Sequence, residues 1–229
     1  MKAKICALIL LFFLCNGNSK GQKKFDPASY PLHVFQKNSA KPLLFYLTGD
    51  GGWNALSQDI VTELGKNGYA VVALDTRNYF WSQKTPAKFG EDAGLILAHY
   101  VQDWNKSSFS IVGYSFGADV GAFLPANLPD ELSARLKSMV LLSPGFSTGF
   151  VTKISNMLGF GGSDKDRYKV YPQLLKSEVP IRCIFGKEED SDFYKALKPT
   201  QRIQKITIPG SHKYNDDASK IVSAVLPGL

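Results

Sequence analysis

Ser115 stands at the centre of Gly113-Tyr114-Ser115-Phe116-Gly117, a Gly-x-Ser-x-Gly pattern that carries chemistry only in one structural setting. A serine hydroxyl is a weak nucleophile until a base takes its proton, so the pattern calls for a histidine with a carboxylate behind it. The setting is the required one. The apolar run 109–112 reads as a strand entering the motif, and residues 118 to about 127 read as a helix leaving it. On such a tight turn the flanking glycines avoid Cβ clashes and the hydroxyl stands above the sheet. Outside that setting the same residues would be a Gly-lined turn packing a helix on a sheet.

The base is expected to be His212. It lies in Pro209-Gly210-Ser211-His212, directly after a strand ending at Ile208, and so at the carboxyl edge that also carries Ser115. His33 precedes the core strands and His99 falls inside a helical pattern. In the order Ser, acid, His, the acid belongs after the strand at 181–185. There Gly186-Lys187-Glu188-Glu189-Asp190-Ser191-Asp192 crowds four carboxylates into one loop. Asp190 is the chosen acid and Glu189 the runner-up. For the oxyanion, one donor is the N–H of Phe116. The other should come from the Gly-rich loop Thr48-Gly49-Asp50-Gly51-Gly52-Trp53, from Asp50 or alternatively Gly51.

Substrate contacts are expected from Gly51 and Trp53 in that loop, from Tyr79 and Trp81 after the second core strand, and from Asp119. Aromatic residues in such numbers serve equally well as core packing. Asp119, one helical turn beyond Ser115, either meets a cationic group on the substrate or binds a neighbour. The Gly-rich loop could in principle cradle phosphate, but it lacks the lysine of a P-loop, which argues against a nucleotide. No metal-ligand spacing occurs and no cofactor is expected.

The elements that must hold these residues alternate along the chain. Buried strands are expected at 43–47, 70–74, 109–112, 139–142, 181–185 and 206–208. Helical patterns run from Ile60 towards Gly68, between Pro86 and Trp104, and from Asp216 to Leu226. Strands buried on both faces and separated by helices predict an α/β fold: a mostly parallel, doubly wound sheet with helices on both faces. The Gly-rich stretch 144–172 interrupts the rhythm and reads as a flap beside the site rather than a second domain.

Ahead of these elements, Met1-Lys2-Ala3-Lys4 and the apolar run Ile5–Cys15 form a signal peptide over residues 1–19, with cleavage after Gly17 or Ser19. Eleven apolar residues cover only about half of a ~30 Å hydrocarbon core. Lipid attachment at Cys15 is the alternative, although Leu14 precedes it where a small residue is preferred. Residues 20–29 read as a tether, and 30–229 as the folded domain. A periplasmic or secreted location follows, with Cys183 left as the one cysteine of the mature chain.

With 229 residues, 44% hydrophobic and 21% charged, the chain suits one globular domain with a sizeable core. These values exclude a disordered chain, a collagen-like repeat and a multispan membrane protein. The net charge of +7 has no run of five basic residues behind it, which argues against nucleic acid. A monomer is expected.

Three segments resemble the bacterial virulence VirJ/AcvB family: Leu47-Thr48-Gly49-Asp50-Gly51-Gly52-Trp53, Asn78-Tyr79-Phe80-Trp81-Ser82-Gln83-Lys84-Thr85-Pro86, and Gly113-Tyr114-Ser115-Phe116-Gly117-Ala118-Asp119. Pro209-Gly210-Ser211-His212 extends the likeness, which spans about residues 30–226. The resemblance implies an exported α/β-hydrolase. For longer AcvB-like members it implies hydrolysis of lysyl-phosphatidylglycerol, and for VirJ-like members a periplasmic role beside type IV secretion. The expected function is therefore a serine esterase with an aminoacylated phospholipid as candidate substrate. The alternative is a binding factor that contacts secretion partners through a retained hydrolase shape.

Overall fold

The computed structural model describes residues 25–35, 38–152 and 167–229. The signal segment, Cys15, residues 20–24 of the tether and the centre of the Gly-rich insertion lie outside the described residues.

Seven strands form the main sheet. They are β1 (Leu32–Phe35), β2 (Leu43–Leu47), β3 (Val71–Leu74), β4 (Phe109–Tyr114), β5 (Leu136–Leu142), β8 (Ile181–Gly186) and β9 (Ile203–Ile208), in the order β1-β3-β2-β4-β5-β8-β9. Between β5 and β8, β6 (Ser147–Thr148) and β7 (Tyr168–Lys169) pair antiparallel as a separate ribbon that brackets the undescribed centre of the insertion. Every neighbour pair of the main sheet is parallel except β1 with β3. The α/β architecture expected from the alternating pattern is the one present.

Alternating side chains of the inner strands feed two cores. Leu43, Phe45, Leu47, Val72, Leu74, Ile111, Leu141 and Phe185 face one layer. That layer holds α3 (Pro86–Asp103), α4 (Phe116–Gly121), α5 (Asp130–Ser133), α6 (Tyr171–Lys176) and α7 (Asp192–Ala196). Leu44, Tyr46, Val71, Val112, Val140 and Ile184 face the other, against α1 (Ala55–Lys66) and α8 (Ala218–Val225). A short helix, α2 (Thr76–Tyr79), follows β3. Each fully buried Leu, Ile or Phe on these faces contributes about 1.5–3 kcal/mol relative to exposure. That continuous burial on both faces explains why these strands read as unbroken apolar runs.

Three local features differ from the sequence reading. Strand β1 was not anticipated: it is a four-residue, incompletely buried edge strand without a strong apolar run. Residues 25–29, read as tether, form a turn capped by Asp26, with the Phe25 ring 5.7 Å from Tyr30 and 4.8 Å from His99. Helix α4 stops at Gly121, and Pro125 lies in a separate 3-10 turn at Leu124–Ala126. Phe150, on the N-terminal side of the insertion, is fully buried among Phe80, Phe89 and Phe123.

Topology alone fixes where a site can form. Strand β2 connects to β3 on one side, while β4 lies on its other side. The loops after β2 and β4 therefore diverge at the carboxyl edge, where open α/β sheets leave a crevice.

Candidate active site

Ser115 occupies the turn between β4 and α4 with φ +52° and ψ −120°, a conformation costing a non-glycine residue about 1–3 kcal/mol. The neighbouring glycines make the turn sterically feasible. A Cβ on Gly117 would overlap the carbonyl oxygens of Leu47 and Thr48, and one on Gly113 would crowd Gly117 and Ala118. Ala118 and Asp119 donate their N–H groups to the Ser115 carbonyl at 2.8 and 3.1 Å, which starts the helix.

His212 reaches Ser115 from the loop after β9. Its Nε2 lies 2.9 Å from Ser115 Oγ. Gly210 turns that loop with φ +107°, and a Cβ there would strike the Tyr214 backbone. The Tyr114 hydroxyl donates to the His212 carbonyl at 3.2 Å. The imidazole is 47% exposed, so one side of the base is open to an incoming ligand.

The carboxylate behind the imidazole is Glu189. Its Oε1 lies 2.8 Å from His212 Nδ1. Asp190, the residue preferred from the sequence, points away: its side chain is 89% exposed and binds Lys195 Nζ at 2.6 Å. The correction has a backbone cause. Glu189 donates its N–H to Gly186 O at 3.1 Å, which turns residue 189 back over the strand end and leaves 190 outward.

Further groups hold Glu189, whose side chain is 13% exposed. Ser143 Oγ donates to Oε2 at 2.6 Å, and the Gly186 N–H donates to the same oxygen at 3.2 Å. Ser143 Oγ also lies 2.6 Å from the Tyr214 hydroxyl, which donates to the Ile184 carbonyl at 2.9 Å. Desolvation pushes the Glu189 carboxyl up. Hydrogen bonds from His212 and Ser143, the His212 charge and the Gly186 N–H outweigh it, and the net direction is below the ordinary carboxylate value. Ser143 and Tyr214 were not foreseen. The available signal was position, since Ser143 follows β5 at the same carboxyl edge as Ser115.

The loop after β2 is pinned to the start of α2. Thr76 donates its N–H to Thr48 Oγ1 at 3.0 Å and its hydroxyl to Thr48 O at 2.8 Å. Asp50 in this loop feels His212: burial raises its carboxyl, while the His212 charge and the N–H groups of Gly51 and Asp50 itself pull it back, leaving a net rise. Phe116 follows Ser115 at the first turn of α4, where backbone N–H groups lack intrahelical acceptors.

The expected substrate contacts separate into two sets. Gly51, Trp53 and Trp81 line one cavity of about 620 Å³, joined there by Asp75, Arg77 and Asn78. Tyr79 is instead buried, donating its hydroxyl to Asp92 Oδ2 at 2.7 Å with its ring against Phe80. The single turn of α2 sends Tyr79 inward. Asp119 accepts from the Gly145 N–H at 2.6 Å, so this carboxylate binds a neighbouring loop of the protein. Among the described residues no cluster of His, Cys, Asp or Glu could hold a metal ion.

Solved structures with the same architecture are α/β-hydrolases. Est1E from Butyrivibrio proteoclasticus superposes with a TM-score of 0.60 at 17% identity, covering 85% of this chain and 89% of that one. The esterase Pf2001 from Pyrococcus furiosus gives a TM-score of 0.55 at 15% identity, covering 89% and 96%. A thioesterase domain from the curacin biosynthetic pathway gives 0.58 at 12% identity, covering 85% and 94%. At these identities the likeness shows the fold. No curated protein matches the sequence. The family model described as bacterial virulence protein (VirJ) matches residues 42–229, and the chain belongs to the VirJ family.

Proposed function

We propose that the protein is a serine hydrolase of carboxylic esters. The observation that carries this reading is the continuous line Ser115 Oγ, His212 Nε2, His212 Nδ1, Glu189 Oε1, with spacings of 2.9 and 2.8 Å. Ser115 Oγ attacks the ester carbonyl carbon and its proton passes to His212 Nε2. Glu189 holds the Nδ1 proton and stabilises the imidazolium. The carbonyl oxygen, now negative, faces the N–H of Phe116 and one from the Asp50–Gly51 loop. Collapse of this adduct breaks the bond to the alcohol, which takes the proton from His212. Water then repeats the sequence against the acyl-Ser115 ester, releasing the acid and restoring the hydroxyl.

The candidate substrate is an aminoacylated phospholipid such as lysyl-phosphatidylglycerol. Asp50 supports it, being a carboxylate near His212 that would meet a cationic amine beside the reacting carbonyl. Of the other acids considered, Asp119 is bound to Gly145 and Asp190 to Lys195. The resemblance to the longer AcvB-like proteins points the same way. Purified protein should cleave lysyl-phosphatidylglycerol faster than the same lipid carrying a neutral acyl ester, by about 10–100-fold. Ser115→Ala should cleave neither. Equal rates on the two lipids would remove the aminoacyl preference and leave a general esterase; no cleavage of either by the wild type would remove the hydrolase reading for these lipids.

A further inference from the structure

We infer that the cavity between the loops after β2 and β3 is an oxyanion-binding subsite, built around Arg77 and taking a phosphate-type group. As a subsite for an ester it rests on the hydrolase reading above. Its binding property stands apart from turnover and is measurable without it.

The cavity of about 620 Å³ is lined by Trp53, Trp81, Gly51 and Gly52. Trp81 is 61% exposed, unusual for an indole on a folded domain. The Trp53 ring is held from behind by His33, stacked at 4.1 Å and 8°. Arg77 enters this space half-buried. Its guanidinium makes no hydrogen bond or ion pair with any described residue.

A guanidinium presents five N–H donors in a fixed fork suited to phosphate or carboxylate oxygens. Its acidic neighbours do not occupy that fork. Asp75 spends Oδ1 on the Asn78 N–H at 3.2 Å and Oδ2 on Asn78 Nδ2 at 2.8 Å, capping α2. Asp50 feels Arg77 only as a weaker influence than His212 and its local N–H groups.

The position also fits. Ser115 follows β4 and Arg77 follows β3, with β2 between the two strands. Two strand spacings set the ends of β3 and β4 roughly 10 Å apart along the sheet edge. A glycerol-sized spacer between an ester carbonyl and a phosphate spans a distance of that order. Gly52, at φ +69°, keeps the wall open: a Cβ there would lie 2.9 Å from Asp75 Oδ1 and 3.1 Å from Arg77 Cβ.

Phosphate could come from a soluble ester or from a lipid headgroup, and two probes separate them. Phenyl phosphate and monomeric dihexanoyl-phosphatidylglycerol, below its micelle concentration, would each be titrated against wild type, Arg77→Gln and Arg77→Lys by tryptophan fluorescence. Two of the three tryptophans line the cavity, so occupancy perturbs the signal. Saturable binding of one or both probes is expected, weakened about tenfold or more in Arg77→Gln and partly restored in Arg77→Lys. Which probe binds identifies the source. Melting curves keep the comparison among folded proteins. If neither probe binds the wild type, or if folded Arg77→Gln binds as tightly, the subsite is excluded. Phenyl phosphate carries no carboxylic ester, and binding of either probe requires no turnover, so loss of the hydrolase reading would not produce either negative result.

Discussion

At the residue scale the acid decides how the site works. Glu189 rather than Asp190 backs His212, and three separate donors converge on its carboxylate. Four carboxylates in seven residues cannot be ranked from residue types; the ranking comes from the turn that sends residue 189 inward and leaves 190 to Lys195. Glu189→Gln should therefore lower kcat on p-nitrophenyl butyrate by about 10⁴. Asp190→Asn, breaking only a surface ion pair, should stay within about twofold. The opposite ranking would return the role to Asp190. Ser143 permits a second test, through pH. The folded Glu189 carboxyl lies below its unfolded value of about 4.3, so its stabilisation is fully present above that value and disappears as pH falls through the folded one. Removing the Ser143 hydrogen bond raises the folded value towards the unfolded one. In melting curves from pH 6 to 3, Ser143→Ala should start from a lower Tm and lose less of it on acidification than the wild type, so that the two curves converge at low pH. Parallel curves would show that Ser143 does not act on this charge.

At the element scale, what could be read in advance was whatever is buried on both sides. Strands β2, β3, β4 and β8 are short apolar runs between Pro, Gly or Asp, and their positions follow from composition. Ser115 and His212 followed because strand ends are legible and the carboxyl edge is shared. Strand β1 was not legible, since an incompletely buried edge pays little for apolar residues. Tyr214 was not legible either: it meets Ser143 across 71 positions through a loop with three successive left-handed residues at 214–216. Nothing in Tyr-Asn-Asp announces that conformation. The packing of α4 against β2 belongs to this scale as well. Gly117→Ala forces a methyl into the Leu47 and Thr48 carbonyls, and overpacking of this kind costs about 1–3 kcal/mol or more. Its urea midpoint should fall clearly below that of the wild type. An unchanged midpoint would mean that the helix can lift off the strand end without penalty.

At the scale of the whole molecule, the sheet gathers the chemistry along a single edge. His212 follows β9, Glu189 follows β8, Ser115 follows β4, Asp50 follows β2 and Arg77 follows β3. The order across the sheet is thus His212, Glu189, Ser115, the Asp50 loop and the Arg77 cavity. The aromatic cluster of Phe80, Phe89, Phe116, Phe123 and Phe150 packs the layer beneath this edge. The cavity beside Trp53 and Trp81 opens among the loops at this edge. A shared fold does not by itself make an enzyme, because binding proteins also use α/β-hydrolase architecture. The central claim is that Ser115 is an activated nucleophile, and reaction with a fluorophosphonate followed by peptide mass mapping tests it most directly. A single adduct is expected, on Ser115, formed by the wild type and nearly abolished in His212→Ala. No adduct on the folded wild type, or equal labelling of Ser115 with and without His212, would contradict it.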